Sequence, residues 1–184
     1  IVIGDGANVN RRTALAQKLA QQGFANLEPV SCKELFATAK AIDQSAGLPR
    51  VKTVLAFAAK CMTGVDSTDF ERAVEARLQG RRLGQAKFGD LLPLTDAIIQ
   101  AGTDASVLAL LQALDERPAT HLYRREMFFA LRAALQIKST RGAPSLSDAV
   151  WEVQNRVRHA GRRLGRRSIG STLLVKGLEF DRAV

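Results

Sequence analysis

The feature that most constrains this chain is a hydrophobic period that changes twice, once near each end. Ile1 to Ile3 is a short, β-branched, wholly apolar run that breaks at Gly4-Asp5-Gly6. Such a run suits a strand of a parallel sheet covered on both faces. Asn10 to Gln22 then carries Ala14, Leu15 and Leu19 at helical spacing, with Gly23 to close the helix, and Leu27 to Val30 reads as a second strand. Strand, helix and strand in so short a span predict one right-handed βαβ unit.

From there the spacing turns helical. Val51, Val54, Leu55, Ala58 and Met62 form one apolar stripe; Val107, Leu108, Leu111 and Leu114 form another; Leu146, Ala149, Val150, Val153 and Val157 form a third. Leu122 to Ile137, with Met127, Phe128, Phe129 and Leu131, predicts a central helix. Ser31 with Glu34, Thr68 with Glu71, and Ser145 with Asp148 have capping-box spacing, and Gly64, Gly80, Gly102 and Gly161 stand where helices should stop. At the far end Ser171 to Val175 is β-like, Lys176 to Asp181 turn-like, and Ala183-Val184 opens another apolar run. The expected fold class is α/β and predominantly helical: a small parallel sheet drawn from the two chain ends, 1–31 and 168–184, interrupted by a large all-helical insertion over 32–167.

Composition narrows the function. At 46% hydrophobic and 24% charged the chain is globular rather than disordered. A net charge of +9 points to a polyanionic partner, nucleic acid first among them. Cys32 and Cys61 make no CxxC pair and read as small buried hydrophobes of a reducing compartment. No apolar run approaches the ~20 residues that cross a bilayer, so no membrane partner and a cytoplasmic location are expected, at the nucleoid if the source is bacterial. The chain starts without Met and both ends lie inside apolar runs, so a longer parent polypeptide is expected.

The most informative stretch is Ser171-Thr-Leu-Leu-Val-Lys-Gly-Leu-Glu-Phe-Asp181. Gly177 lets backbone approach a ligand closely, and the Glu179 carboxylate can accept hydrogen bonds from sugar hydroxyls. Lys176 to Phe180 resembles motif V of the UvrD/Rep-type superfamily 1 DNA helicases, whose common form is Thr-x-His-x-x-Lys-Gly-Leu-Glu-Phe. The layout is similar too, since that family's second RecA-like domain receives a helical insertion before motif V. The resemblance implies that Gly177 and Glu179 face ATP, that Ser171 and Thr172 touch the DNA backbone, and that Lys176 bridges the two sites. It departs at Leu173, where the family's usual His falls.

A second constellation is the basic run holding Arg156, Arg158, Arg162, Arg163, Arg166 and Arg167, with no acid between Glu152 and Glu179. Gly161 and Gly165 are expected to break the helix and set the later arginines on a connector. Arg162, Arg163, Arg166 and Arg167 are the candidate phosphate contacts. Arg77, Arg81, Arg82 and Lys87 form a smaller cluster. His121 and His159 are far apart and predict no zinc site.

No GxxxxGK[ST] occurs in the sequence, nor an acidic Mg²⁺ motif after an apolar strand. The expectation is therefore a fragment of an ATP-dependent DNA helicase, 3′ to 5′ by resemblance, without catalytic residues of its own. ATP and Mg²⁺ would belong to the parent, in a cleft shared with a missing first RecA-like domain, and the other partner would be single-stranded or junction DNA. One rival is a non-enzymatic basic helical module that binds nucleic acid or docks a protein. A third reading, a dinucleotide enzyme using Gly4 and Gly6, lacks the third glycine of that fingerprint.

Overall fold

The computed structural model of the chain describes residues 2–4, 8–28, 32–81, 88–160 and 166–176. The first strand, β1 (Val2–Gly4), leads to helix α1 (Val9–Lys18), whose first turn is closed by Asn8 accepting from the Arg11 N–H at 3.0 Å. A 3₁₀ turn follows at Ala20–Gln22. Gly23, at φ +80°, turns the chain straight into β2 (Phe24–Asn26), ahead of the strand predicted at Leu27. Leu27 nevertheless stays tied to the sheet through its N–H to the Ile169 carbonyl at 2.8 Å, while Val30 lies outside the described residues.

A helical block comes next: α2 (Lys33–Gln44), α3 (Gly47–Cys61), α4 (Ser67–Leu78), α5 (Leu92–Ala101), α6 (Asp104–Asp115), α7 (Arg125–Arg141) and α8 (Leu146–Ala160). A two-stranded antiparallel ribbon pairs β3 (Met62–Thr63) with β4 (His121–Leu122) inside it. The three predicted stripes are core, apart from Val157, which is exposed, and Leu108, which is partly covered. Phe128 in the first turn of α7 is fully buried and stacks on Phe57 with ring centroids 6.4 Å apart. The Ser145–Asp148 box forms as expected, with the Asp148 N–H donating to Ser145 Oγ at 3.0 Å. The other two do not. Asp66, a better cap than threonine, starts α4 by accepting from the Asp69 N–H. Glu34 is drawn to Arg124 and Lys60, and Ser31 lies outside the described residues. Gly64 follows β3 rather than ending a helix; any Cβ there would lie 2.1 Å from the Ala119 carbonyl oxygen.

The chain then returns to the first sheet as β5 (Arg167–Ser171), parallel to both earlier strands and lying between them in the order β1-β5-β2. Ile3 faces Gly170 and Asn26 faces Ile169. The fold is thus predominantly helical α/β with a small parallel sheet from the chain's two ends. The last strand sits earlier than the sequence predicts: Thr172–Val175 is not β but a single helical turn, α9. Ser171 starts it by accepting from the Leu174 N–H at 3.4 Å. Val175 folds back over Gly170, where a Cβ would come within 2.8 Å of Val175 Cγ1 and 3.0 Å of Leu27 Cδ1. A side chain at 170 would push the turn off the strand.

The sheet joins the block through the segment ahead of α7. Asn26 donates its N–H to the Tyr123 carbonyl (2.7 Å), while the Tyr123 and Arg124 N–H groups both donate to the Cys61 carbonyl. Tyr123 packs with Ala16, Ala20 and Ile169. The Arg124 guanidinium grips Glu28 with two bonds, 2.7 and 3.1 Å, and reaches Glu34 at 2.6 Å; Lys60 meets Glu34 at 3.1 Å. Arg124 and Glu28 are both buried. Among the described residues no helix is long and apolar enough to cross a membrane.

Candidate nucleic-acid interface

Helix α8 has two unlike faces. Leu146, Ala149, Val150 and Val153 point into the core against α2 and α7. The opposite side carries Trp151, Asn155, Arg158 and His159, spaced one and two turns apart so that they share a face. Trp151 is 51% exposed, and the Arg158 guanidinium lies over its ring, 5.2 Å from the centroid. Trp151, Glu152, Asn155, Arg156 and His159 line a shallow, open depression. Of the two acids on or beside this face, Glu152 is held by Arg141 at 3.3 Å and by Arg156 one turn on, and Asp148, one turn before Trp151, accepts from the Ser145 hydroxyl at 2.7 Å. Arg158 has no carboxylate within ion-pair distance among the described residues; its guanidinium donates to Asn155 Oδ1 at 3.5 Å and otherwise faces the Trp151 ring.

The sequence-predicted residues fall into three groups. Arg162, Arg163, Gly177 and Glu179 lie outside the described residues. Arg166, Thr172 and Lys176 are exposed; Arg166 is at a bend entering β5, and Thr172 opens α9. The other two are used by the fold. Arg167 is not on a connector but in β5, where it donates to the Gln22 carbonyl at 2.6 Å and lies over the Phe24 ring. Ser171 is buried and its hydroxyl caps α9. Leu173, in the position of the expected His, is 80% exposed on the helical turn and packs on little. In the smaller basic cluster Arg77 is paired with Asp96 at 2.7 Å, Arg81 is exposed, and Arg82 and Lys87 lie outside the described residues.

Two features escaped the sequence reading. Trp151 sits one residue off the α8 stripe, and its spacing to Arg158 is the signal that could have found it. The buried Arg124–Glu28–Glu34 cluster spans segments far apart in sequence, so no local pattern announces it. Burial disfavours the Arg124 charge, but hydrogen bonds and charge from Glu28 and Glu34 outweigh that and raise its pKa. Glu34 is half-buried, which would raise its carboxyl, yet the bonds from Arg124 and Lys60 hold it below its usual value. Burial pushes the Cys61 thiol well up and the Tyr123 hydroxyl up to about 12.

No protein-family model matches the chain, and no curated protein or solved structure matches it.

Proposed function

We propose that the chain is part of an ATP-dependent DNA helicase of the UvrD/Rep type, contributing a portion of the second motor domain and its helical insertion. The observation that carries the reading is the returning strand. β5 enters between β1 and β2 after the whole helical block, and the sequence that follows it, past the single turn of α9, is Lys176-Gly-Leu-Glu-Phe-Asp181. That order of sheet, insertion and motif is the one the resemblance implies. The exposed Thr172 and Lys176 support DNA contact near the end of β5. The buried hydroxyl of Ser171 supports a capping role instead, so the DNA contact shifts to Thr172 and Lys176. Residues 1–31 and 168–184 would form the partial motor domain, and 32–167 the insertion.

ATP and Mg²⁺ enter this reading as ligands of the parent protein. Among the described residues no group of three His, Cys, Asp or Glu side chains could hold a metal ion. The Gly177 turn and the Glu179 carboxylate would contribute one wall of a nucleotide cleft and the missing first domain the other. Nucleotide state and DNA grip would then be coupled through the short path from β5 to Glu179. The parent would work in the cytoplasm, on single strands, 3′ to 5′.

A specific observation also favours the rival reading of a basic module: the exposed aromatic and cationic face of α8 belongs wholly to the helical block. The native open reading frame separates the two. A GxxxxGK[ST] segment upstream and an arginine-bearing motif downstream, together with DNA-stimulated ATPase in the full-length protein that Glu179→Gln weakens, are expected. A frame without both motifs, or a full-length protein without that ATPase, selects the module.

A further inference from the structure

Trp151 is the one tryptophan of the chain, and the core has no need of it. The apolar face of α8 is complete without it, yet its indole stands half in solvent beside a guanidinium with no carboxylate partner among the described residues. An exposed indole wastes apolar surface unless something planar covers it. Arg158 occupies one side of the ring, so the room for a planar guest lies on the rest of it. Asn155, whose Oδ1 accepts from Arg158, and His159 stand beside the ring, and of the nearby acids Glu152 is countered by Arg141 and Arg156 while Asp148 lies a turn back toward the helix start, tied to Ser145. Beyond Ala160 the sequence continues into Arg162, Arg163, Arg166 and Arg167.

We propose that Trp151 and Arg158 form a stacking platform for an unpaired base of single-stranded DNA, the base lying on the indole while Arg158 meets the adjoining phosphate. Base stacking on an exposed aromatic ring beside cations is sequence-tolerant, because every base has a π-face. The site therefore accepts any single strand and rejects a duplex, whose bases are already stacked. It rests on the proposed DNA partner, and adds to it a surface on the helical block, away from the motif after β5 in sequence.

Because Trp151 is the sole indole, its emission reports the site directly. The 184-residue chain is titrated with labelled oligothymidylate, following oligonucleotide anisotropy and tryptophan emission together. Emission should quench along the same isotherm as the anisotropy. An abasic strand of equal length, which keeps the phosphates, should bind without quenching, as should a duplex. Trp151→Ala should weaken oligothymidylate binding roughly tenfold and leave the slope of log K against log salt unchanged, while Trp151→Phe keeps most of the affinity. Unchanged emission at saturating anisotropy overturns the platform and leaves the helicase reading standing. Equal quenching by duplex overturns the preference for an unpaired base. An indole already shielded from acrylamide before DNA is added means that a second copy or another part of the chain covers it, and overturns the proposal. Absence of DNA binding of any kind removes both readings, whereas quenching in a parent that has no ATPase keeps the platform and removes the helicase.

Discussion

Phe57, Phe128 and Leu131 sit inside a continuous apolar cluster that runs from Cys32, just before the first helix of the block, to Val153 in the last. The sheet at the other side rests, among the described residues, on Ala16, Ala20, Tyr123 and Ile169, and on the charged grip of Arg124 on Glu28. The block is held by area removed from water, a force indifferent to the exact angle of its parts. The sheet has only a small apolar cluster and adds to it a bidentate ion pair, which tolerates little displacement and gains least from mere proximity. A region of the first kind should survive the loss of the second, and the reverse should not hold.

The strongest way to break that contrast is at Phe128. Phe128→Ala empties the centre of the block and should cost about 4 kcal/mol, lowering the urea midpoint of helix and sheet signals together. Arg124→Ala should cost about 3 kcal/mol, because it takes the cation away from the buried Glu28 carboxylate and leaves it the Asn26 amide. Its effect should be local. Amide exchange at Asn26 and Leu27 should accelerate while the helical circular dichroism persists, and simultaneous loss of both would mean that the block does not stand alone.

pH sharpens the same comparison. In the unfolded chain the Tyr123 phenol ionises near 10, whereas burial holds it to about 12 in the folded one. Between those values the unfolded state releases a proton that the folded state keeps, so stability falls as pH rises, by on the order of 2 kcal/mol. Tyr123→Phe should flatten thermal melts over that window. What slope remains belongs to groups such as Cys61, whose raised thiol acts in the same direction. The smallest effect is expected at Gly170→Ala, about 1–2 kcal/mol, from the collision with Val175 and Leu27. A crystal structure of that variant should show the α9 turn displaced from β5 and the helical block unmoved.

The helical core was legible because its signal is local: three apolar stripes recur at helical spacing, and their buried members occupy one cluster. Boundaries were less so. Glycine 23 starts a strand sooner than hydrophobicity alone suggests, and Ser171, a β-compatible residue followed by Thr-Leu-Leu-Val, serves as a cap because Gly170 lets the next turn fold back. The candidate site was legible in charge but not in assignment. Arg167 looked as free as Arg166 in the sequence, yet strand pairing with β2 brings it to the Gln22 carbonyl and the Phe24 ring. Arg124 and Glu28 carry no sequence mark at all, since what joins them is tertiary.

The strand order has a consequence for synthesis. Leaving the ribosome, β1 and β2 are not neighbours: each must wait with an open edge for a strand encoded almost a whole chain later. The nascent protein therefore passes through a stage in which its helices have a core to collapse on while Val2–Gly4 and Phe24–Asn26 still offer unpaired backbone to any passing chain. Arrival of β5 pairs the facing edge of each in a single event. Yield on expression should thus depend on how quickly the last segment emerges, more than on how stable the finished molecule is.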